Sequence, residues 1–181
     1  FYTRIQTVSA FDFSGVVNPR TDLWGRTSGY IAGAGGISRG LELGVEARPT
    51  RTLTLSGSYT YTRANNDRDQ VITGFFRALN VPGHTASVVA TQRLTRRLDV
   101  TFDVAHTSNY FINYFAAGRS RAFDFPGFTR LDSVVSYRLR DSDRGRLTVY
   151  GKFENLFGRR IYENGVLNPG FWALAGLRCA F

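Results

Sequence analysis

Apolar and polar residues alternate along this chain with a period of two. In 52–62, Leu53, Leu55, Gly57, Tyr59 and Tyr61 take the odd positions and Thr or Ser every even one. A helix would mix the two sets, whereas a strand puts them on opposite faces. The same grammar recurs at 41–47, 98–106, 128–139 and 171–181. It is weaker at 84–95, where Val89 falls among the polar positions. The pattern predicts eight strands, near 2–13, 36–48, 52–63, 84–95, 97–112, 127–140, 145–157 and 170–181.

The connections alternate as well. Short turns are expected at Pro49-Thr50-Arg51, Thr95-Arg96-Arg97 and Asp141–Gly145, and long loops at about 14–35, 64–83, 113–126 and 158–169. All short connections then fall at one end of the strands. That is the plan of an antiparallel up-and-down transmembrane β-barrel, with tight periplasmic turns and long outer loops. Strand length agrees. About 12 residues at roughly 3.3 Å each, tilted by about 45°, span close to 28 Å, a bilayer core. Aromatic pairs gather near strand ends, as at Tyr59/Tyr61, Tyr110/Phe111 and Phe153/Phe157. Such girdles mark membrane interfaces.

Composition narrows the choice. The 181 residues are 43% hydrophobic and 14% aromatic, too apolar for a disordered tail. A single cysteine, Cys179, excludes an internal disulfide framework. No apolar run approaches the roughly 18 residues of a transmembrane helix, and no signal peptide is visible at the N-terminus. There is no methionine, so the sequence reads as processed or as cut from a longer chain. Net charge is +9, and every cation but Lys152 is Arg. The Arg residues are scattered through turns and loops rather than set in one stripe with stacking aromatics, so nucleic acid is not an expected partner. Anionic lipopolysaccharide and outer-membrane lipid are. Glu42, Glu46, Asp99, Asp103, Arg130, Asp132, Arg138, Lys152, Glu154 and Arg178 fall on the polar face. Charges at that density cannot face lipid; in a large barrel they line a wet lumen and meet a plug, and in a closed eight-stranded barrel they pair across a filled interior.

Chemistry sought along the chain is mostly missing. Gly33-Ala34-Gly35-Gly36 lacks the further Gly and the Lys-Ser/Thr of phosphate loops, and reads as a flexible loop feeding a strand. His84 and His106 lack a ligand cluster; His106 reads as a headgroup-level residue. Ser108 and Asn109 beside His106 alternate across the strand and make no hydrolytic triad. No catalytic, cofactor or metal residues are assigned, and the chain is not expected to be an enzyme.

At the C-terminal segment the residues become family-specific. Asn155, Leu156, Phe157, Gly158, Arg159 and Tyr162 resemble the N-L-F-(D/G)-(K/R)-x-Y pattern of TonB-dependent outer-membrane receptors, with one extra residue before the Tyr. Pro169-Gly170 and terminal Phe181 fit the same family. So do Ser38-Arg39-Gly40-Leu41-Glu42, Val81-Pro82-Gly83-His84-Thr85-Ala86 and Pro126-Gly127-Phe128. The resemblance implies a plug inside a 22-stranded barrel. Nothing here resembles the plug or the TonB-docking segment, so 1–181 is expected to be a single C-terminal segment, the last eight or so strands.

The resemblance further implies energised uptake of a ferric siderophore or similar scarce nutrient across the bacterial outer membrane, with plug and TonB as partners through an N-terminal part. Tyr110, Phe111, Tyr114, Phe115, Arg119 and Arg121 are candidate ligand-loop residues, since aromatic faces plus cations suit an anionic chelate. Ala175, Leu177, Cys179 and Phe181 resemble the signal read by the barrel assembly machinery. The alternatives are a self-contained eight-stranded anchor or adhesion barrel and, further off, an outer-membrane hydrolase.

Overall fold

A computed structural model describes residues 1–12, 19–66, 80–116, 119–142, 145–163 and 166–180, with the backbone alone at 8–12, 31–34, 66, 113–116, 119–122 and 163. Eight antiparallel strands are β1 (Tyr2–Asp12), β2 (Gly29–Ala47), β3 (Leu53–Asn66), β4 (His84–Arg93), β5 (Leu98–Thr107), β8 (Phe128–Ser142), β9 (Gly145–Glu154) and β12 (Trp172–Ala180). Two short ladders, β6 (Tyr110–Ala116) with β7 (Arg119–Phe125) and β10 (Tyr162–Glu163) with β11 (Val166–Leu167), lie in the long connections. The sheet order is β1-β2-β3-β4-β5-β8-β9-β12, so neighbours in the sheet follow one another up and down.

The chain forms two compact units. One comprises Phe1–Gly40, Thr62–Val81 and Phe111–Phe123; the other comprises Leu41–Tyr61, Pro82–Tyr110 and Asp124–Phe181. In the first unit, β1 pairs with the start of β2 from Tyr2↔Arg39 to Asp12↔Gly29. Here the sequence expectation is corrected: Gly33–Gly36 is strand, not loop. Small residues let the two backbones close up. A Cβ at Gly35 would lie 2.6 Å from the carbonyl carbon of Gln6.

The second unit is the wall. Its register puts Leu55, Ala90, Phe102, Ser133, Phe153 and Ala173 in one row across the sheet. The row on the other face runs Thr54, Thr91, Thr101, Val134, Lys152 and Leu174. The alternation seen in the sequence is therefore a real division of faces, and Val89 does sit with Ser56 and Asp103 on the polar one. Leu139 is the extra residue of a bulge, since Arg138 faces Thr148 and Arg140 faces Leu147.

The short turns repeat one device. Thr50 Oγ1 accepts from the amide of Leu53 at 3.1 Å, and Thr95 Oγ1 from that of Leu98 at 3.0 Å. A second correction concerns 97–112. β5 stops at Thr107, and Tyr110 opens the separate β6–β7 hairpin. Asn109 breaks the strand by turning its amide onto Asp124, at 3.1 and 3.2 Å. A Cβ at Gly127 would meet the backbone of Ser108 and Asn109 at 2.8 Å, so the hairpin's exit packs against the end of β5.

Candidate functional site

Buried side chains of the wall unit gather at its long-loop end. Tyr110 and Phe125 are 7% and 5% exposed and stack at 5.8 Å, and Phe125 meets Tyr162 edge-on at 6.5 Å. Ile161 is buried to 2%. Beside them stands Asn155, 3% exposed, with φ at 52°. Asn tolerates this left-handed backbone, and its side chain uses the bend. Nδ2 donates to the carbonyl oxygens of Arg159 at 2.7 Å and Pro169 at 3.3 Å, while Oδ1 accepts from the Arg159 amide at 3.2 Å. The Asn155 amide donates to Asp132 Oδ1 at 2.8 Å. Gly158 takes a second left-handed position, φ 60°, and donates to the Asn155 carbonyl at 2.7 Å. The Asn-Leu-Phe-Gly-Arg run thus folds the last long loop back against the wall.

Where that loop comes down, a cleft of about 360 Å³ opens, bordered by Arg130, Glu154, Asn168 and Trp172. Arg130 Nε lies 3.1 Å from Asp132 Oδ2, Lys152 pairs with Glu154, and Trp172 Nε1 donates to Glu154 at 2.9 Å. Farther down the same face the ladder continues. Ser58 bonds Ser87 at 2.9 Å and Thr91 bonds Thr101 at 3.0 Å, while Asp99 receives both Arg93 and Arg138 at 3.3 Å. The Nε atoms of Arg130 and Arg138 are buried without a hydrogen bond among the described residues. This face offers fixed charges, hydroxyls and one indole to whatever fills the space before it.

The opposite face is apolar and exposed: Leu43 is 53% exposed, Phe102 44% and Leu177 67%. His84 and His106 lie on it at the long-loop end. His84 bonds Tyr59 at 2.8 Å beneath the Tyr61 ring, and His106 bonds Thr129 at 2.9 Å. Polar tips on an aromatic band suit a headgroup boundary.

Of the expected ligand-loop residues, Tyr110 packs inside the loop cluster. The Phe111 carbonyl accepts from the Asn80 amide at 2.7 Å. The side chains of Tyr114, Phe115, Arg119 and Arg121 lie outside the described residues. Ala175, Leu177 and Cys179 are exposed on the apolar face of β12, and Phe181 lies outside the described residues.

Sequence reasoning missed one loop of the first unit. Asp22 accepts from the amides of Trp24 and Arg26 at 2.9 and 3.0 Å and holds the Arg26 guanidinium at 2.8 Å. That guanidinium lies 4.6 Å from the Trp24 ring centre. The Arg26 hydrogen bonds keep the Asp22 carboxyl well below the usual carboxylate range. Leu23 and Trp24 stay 84% and 72% exposed. The signal was Asp and Arg four residues apart around a Trp.

Comparison with known proteins agrees with the two-faced wall. Residues 1–156 match the family model described as TonB dependent receptor-like, beta-barrel. The chain is 29% identical over 149 residues to the metal-pseudopaline receptor CntO of Pseudomonas aeruginosa strain UCBPP-PA14. That match takes in 82% of this chain and 20% of the relative, so the chain spans about a fifth of that protein's length. Among solved structures, the ferripyoverdine receptor of the outer membrane of P. aeruginosa superposes with a TM-score of 0.72 at 12% identity, over 97% of this chain and 23% of that one. The ferric-catecholate import receptor Fiu from E. coli K12 gives 0.68 at 15% identity, over 99% and 24%. Its strands, faces and family match together show that this chain belongs to the TonB-dependent receptor-like β-barrel family, a family of the bacterial outer membrane.

Proposed function

We propose that this chain is the C-terminal wall of a larger barrel, its last eight or so strands, and that the whole receptor imports a ferric siderophore or a similar metal chelate under the drive of TonB. The observation that carries the reading is the two-faced wall. The same strands present a ladder of ion pairs and hydroxyls on one side and exposed Leu, Val and Phe on the other. A wide lumen leaves the charged face wet, whereas closing eight strands alone would force these ions into a narrow interior. CntO and Fiu, by their names, receive metal-pseudopaline and ferric catecholate.

In this reading the wall is a receptor and not an enzyme. The polar face meets a plug, and the loop residues Phe111, Tyr114, Phe115, Arg119 and Arg121 contribute to ligand capture, with Tyr110 supporting the loop from beneath Phe125. Ala175, Leu177, Cys179 and Phe181 present β12 to the barrel assembly machinery. Lipopolysaccharide contacts the long-loop side. The test is uptake of radiolabelled iron by the host under iron restriction, offered catecholate, hydroxamate and amino-carboxylate chelates in turn. Deleting the receptor gene should abolish uptake of at least one chelate, and loss of TonB should do the same. Uptake of every chelate unchanged by the deletion would overturn the proposal.

A further inference from the structure

The short-turn end of the wall unit carries charge that the long-loop end does not explain. Asp99 and Asp141 take up Arg93, Arg138 and Arg146 there. Arg48, Arg51, Arg96, Arg97 and Arg140 stand exposed, with no ion pair among the described residues. Glu46 lies two residues from Arg48 and makes no ion pair with it among the described residues.

Directly above the first of these turns, the apolar face is grooved. Leu43, Val45, Ala47, Leu55, Gly57 and Val88 line an open slot of about 420 Å³. It starts at Ala47, the residue before Arg48. From Ala47 to Leu43 the strand advances about 13 Å, which at a tilt of about 45° is about 9 Å of depth, more than half of one leaflet's hydrocarbon. Gly57 leaves the slot open. A Cβ there would make only ordinary contacts, 3.5 Å to Ser87 O and 3.8 Å to Val88 Cγ2, so nothing in the backbone requires glycine.

We infer that this end of the wall docks an anionic phospholipid of the periplasmic leaflet. The guanidinium groups of Arg48, Arg51, Arg96 and Arg97 surround its phosphate, and one acyl chain lies in the groove above Ala47. A cationic rim set one residue from an apolar slot fits an amphiphile better than it fits a free anion, which has nothing to place in the slot. The inference rests on the outer-membrane placement of the family and on short turns facing the periplasm, not on the identity of any imported chelate.

The test is native mass spectrometry of the full receptor chain in neutral detergent, offered dioleoyl-phosphatidylglycerol, dioleoyl-phosphatidylcholine or lipid A. Phosphatidylglycerol should be retained about tenfold over phosphatidylcholine. The combined R48Q, R51Q, R96Q and R97Q variant should lose that preference, and the matching Lys variant should keep most of it. Gly57→Leu, which fills the groove, should weaken retention of both dioleoyl lipids alike. Heat-modifiable gel mobility checks folding, and Gly57→Leu carries the test if the fourfold variant does not fold. Equal retention of the two phospholipids, retention unmoved by every variant, or lipid A held at least as well as phosphatidylglycerol would each overturn the inference. So would displacement of phosphatidylglycerol by inorganic phosphate. A receptor that imports no chelate but keeps the phosphatidylglycerol preference would remove the proposed function and leave this inference standing.

Discussion

In the wall unit, the strands and the long-loop end solve burial in opposite ways. Among the described residues of strands β4, β5, β8, β9 and β12, Ser133 alone is buried, and large apolar side chains such as Phe102 and Leu177 lie open. The loop end, with the same chemistry available, buries Tyr110, Phe125, Asn155 and Ile161. The difference is solvent. A strand in a bilayer finds its apolar medium outside the protein, and its backbone is satisfied by its neighbours. A loop in water must bury apolar area itself and pair every polar group it covers. Exposed leucines are thus no defect in the wall, while a single unpaired amide would be one in the loop.

The comparison is sharpened most by removing the loop's core. Phe125→Ala strips a ring that contacts both Tyr110 and Tyr162, and should cost about 3–5 kcal/mol of local stability. Limited proteolysis of the full chain should show new cleavage within 108–127, with strand protection unchanged. Next comes a pair of neighbours. Phe102→Arg places a charge on the lipid side near mid-strand and should cost about 2–4 kcal/mol, whereas Thr101→Arg on the polar face should cost less than about 1 kcal/mol. Reversible denaturant titration in lipid vesicles reads both, and equal costs would abolish the assignment of faces.

Asn155→Ala comes third. It removes three side-chain hydrogen bonds and puts an ordinary residue at φ 52°, so about 1–3 kcal/mol of loop stability should go. Asn155→Gly repairs the backbone strain but not the bonds and should fall between the two. Hydrogen exchange at the Arg159 amide measures it. The smallest effect belongs to the exposed Asp22–Arg26 turn. Its lowered carboxyl pKa adds stability that is full above the ordinary carboxylate range and is lost only as pH falls from that range toward the lower folded value. A carboxyl NMR titration should show Asp22 still ionised below the ordinary carboxylate range, and titration within that range would break the turn's assignment.

Much of the wall was legible beforehand because strand pleating leaves a period of two in the residues themselves. Leu53 to Tyr61 could be sorted onto faces without coordinates, and Pro49-Thr50-Arg51 and Thr95-Arg96-Arg97 marked turns by their own chemistry. The Asn155 run was legible as a pattern, and the structure supplies its reason: a left-handed Asn that closes a loop with its side chain. The start of β2 was not legible. Gly33–Gly36 carries no side-chain alternation, and only the approach of β1 makes it strand.

What the sequence alone determined, then, is which side of each strand meets lipid and which meets water, since that is a property of neighbouring residues. Only the tertiary structure decided what meets across strands: that Asp99 is shared by Arg93 and Arg138, that Tyr110 lies under Phe125 rather than open to a ligand, and that Arg48, Arg51, Arg96, Arg97 and Arg140 have no carboxylate partner among the described residues. Pairing of that kind depends on register, and register is set between strands far apart in the chain, where no local pattern records it.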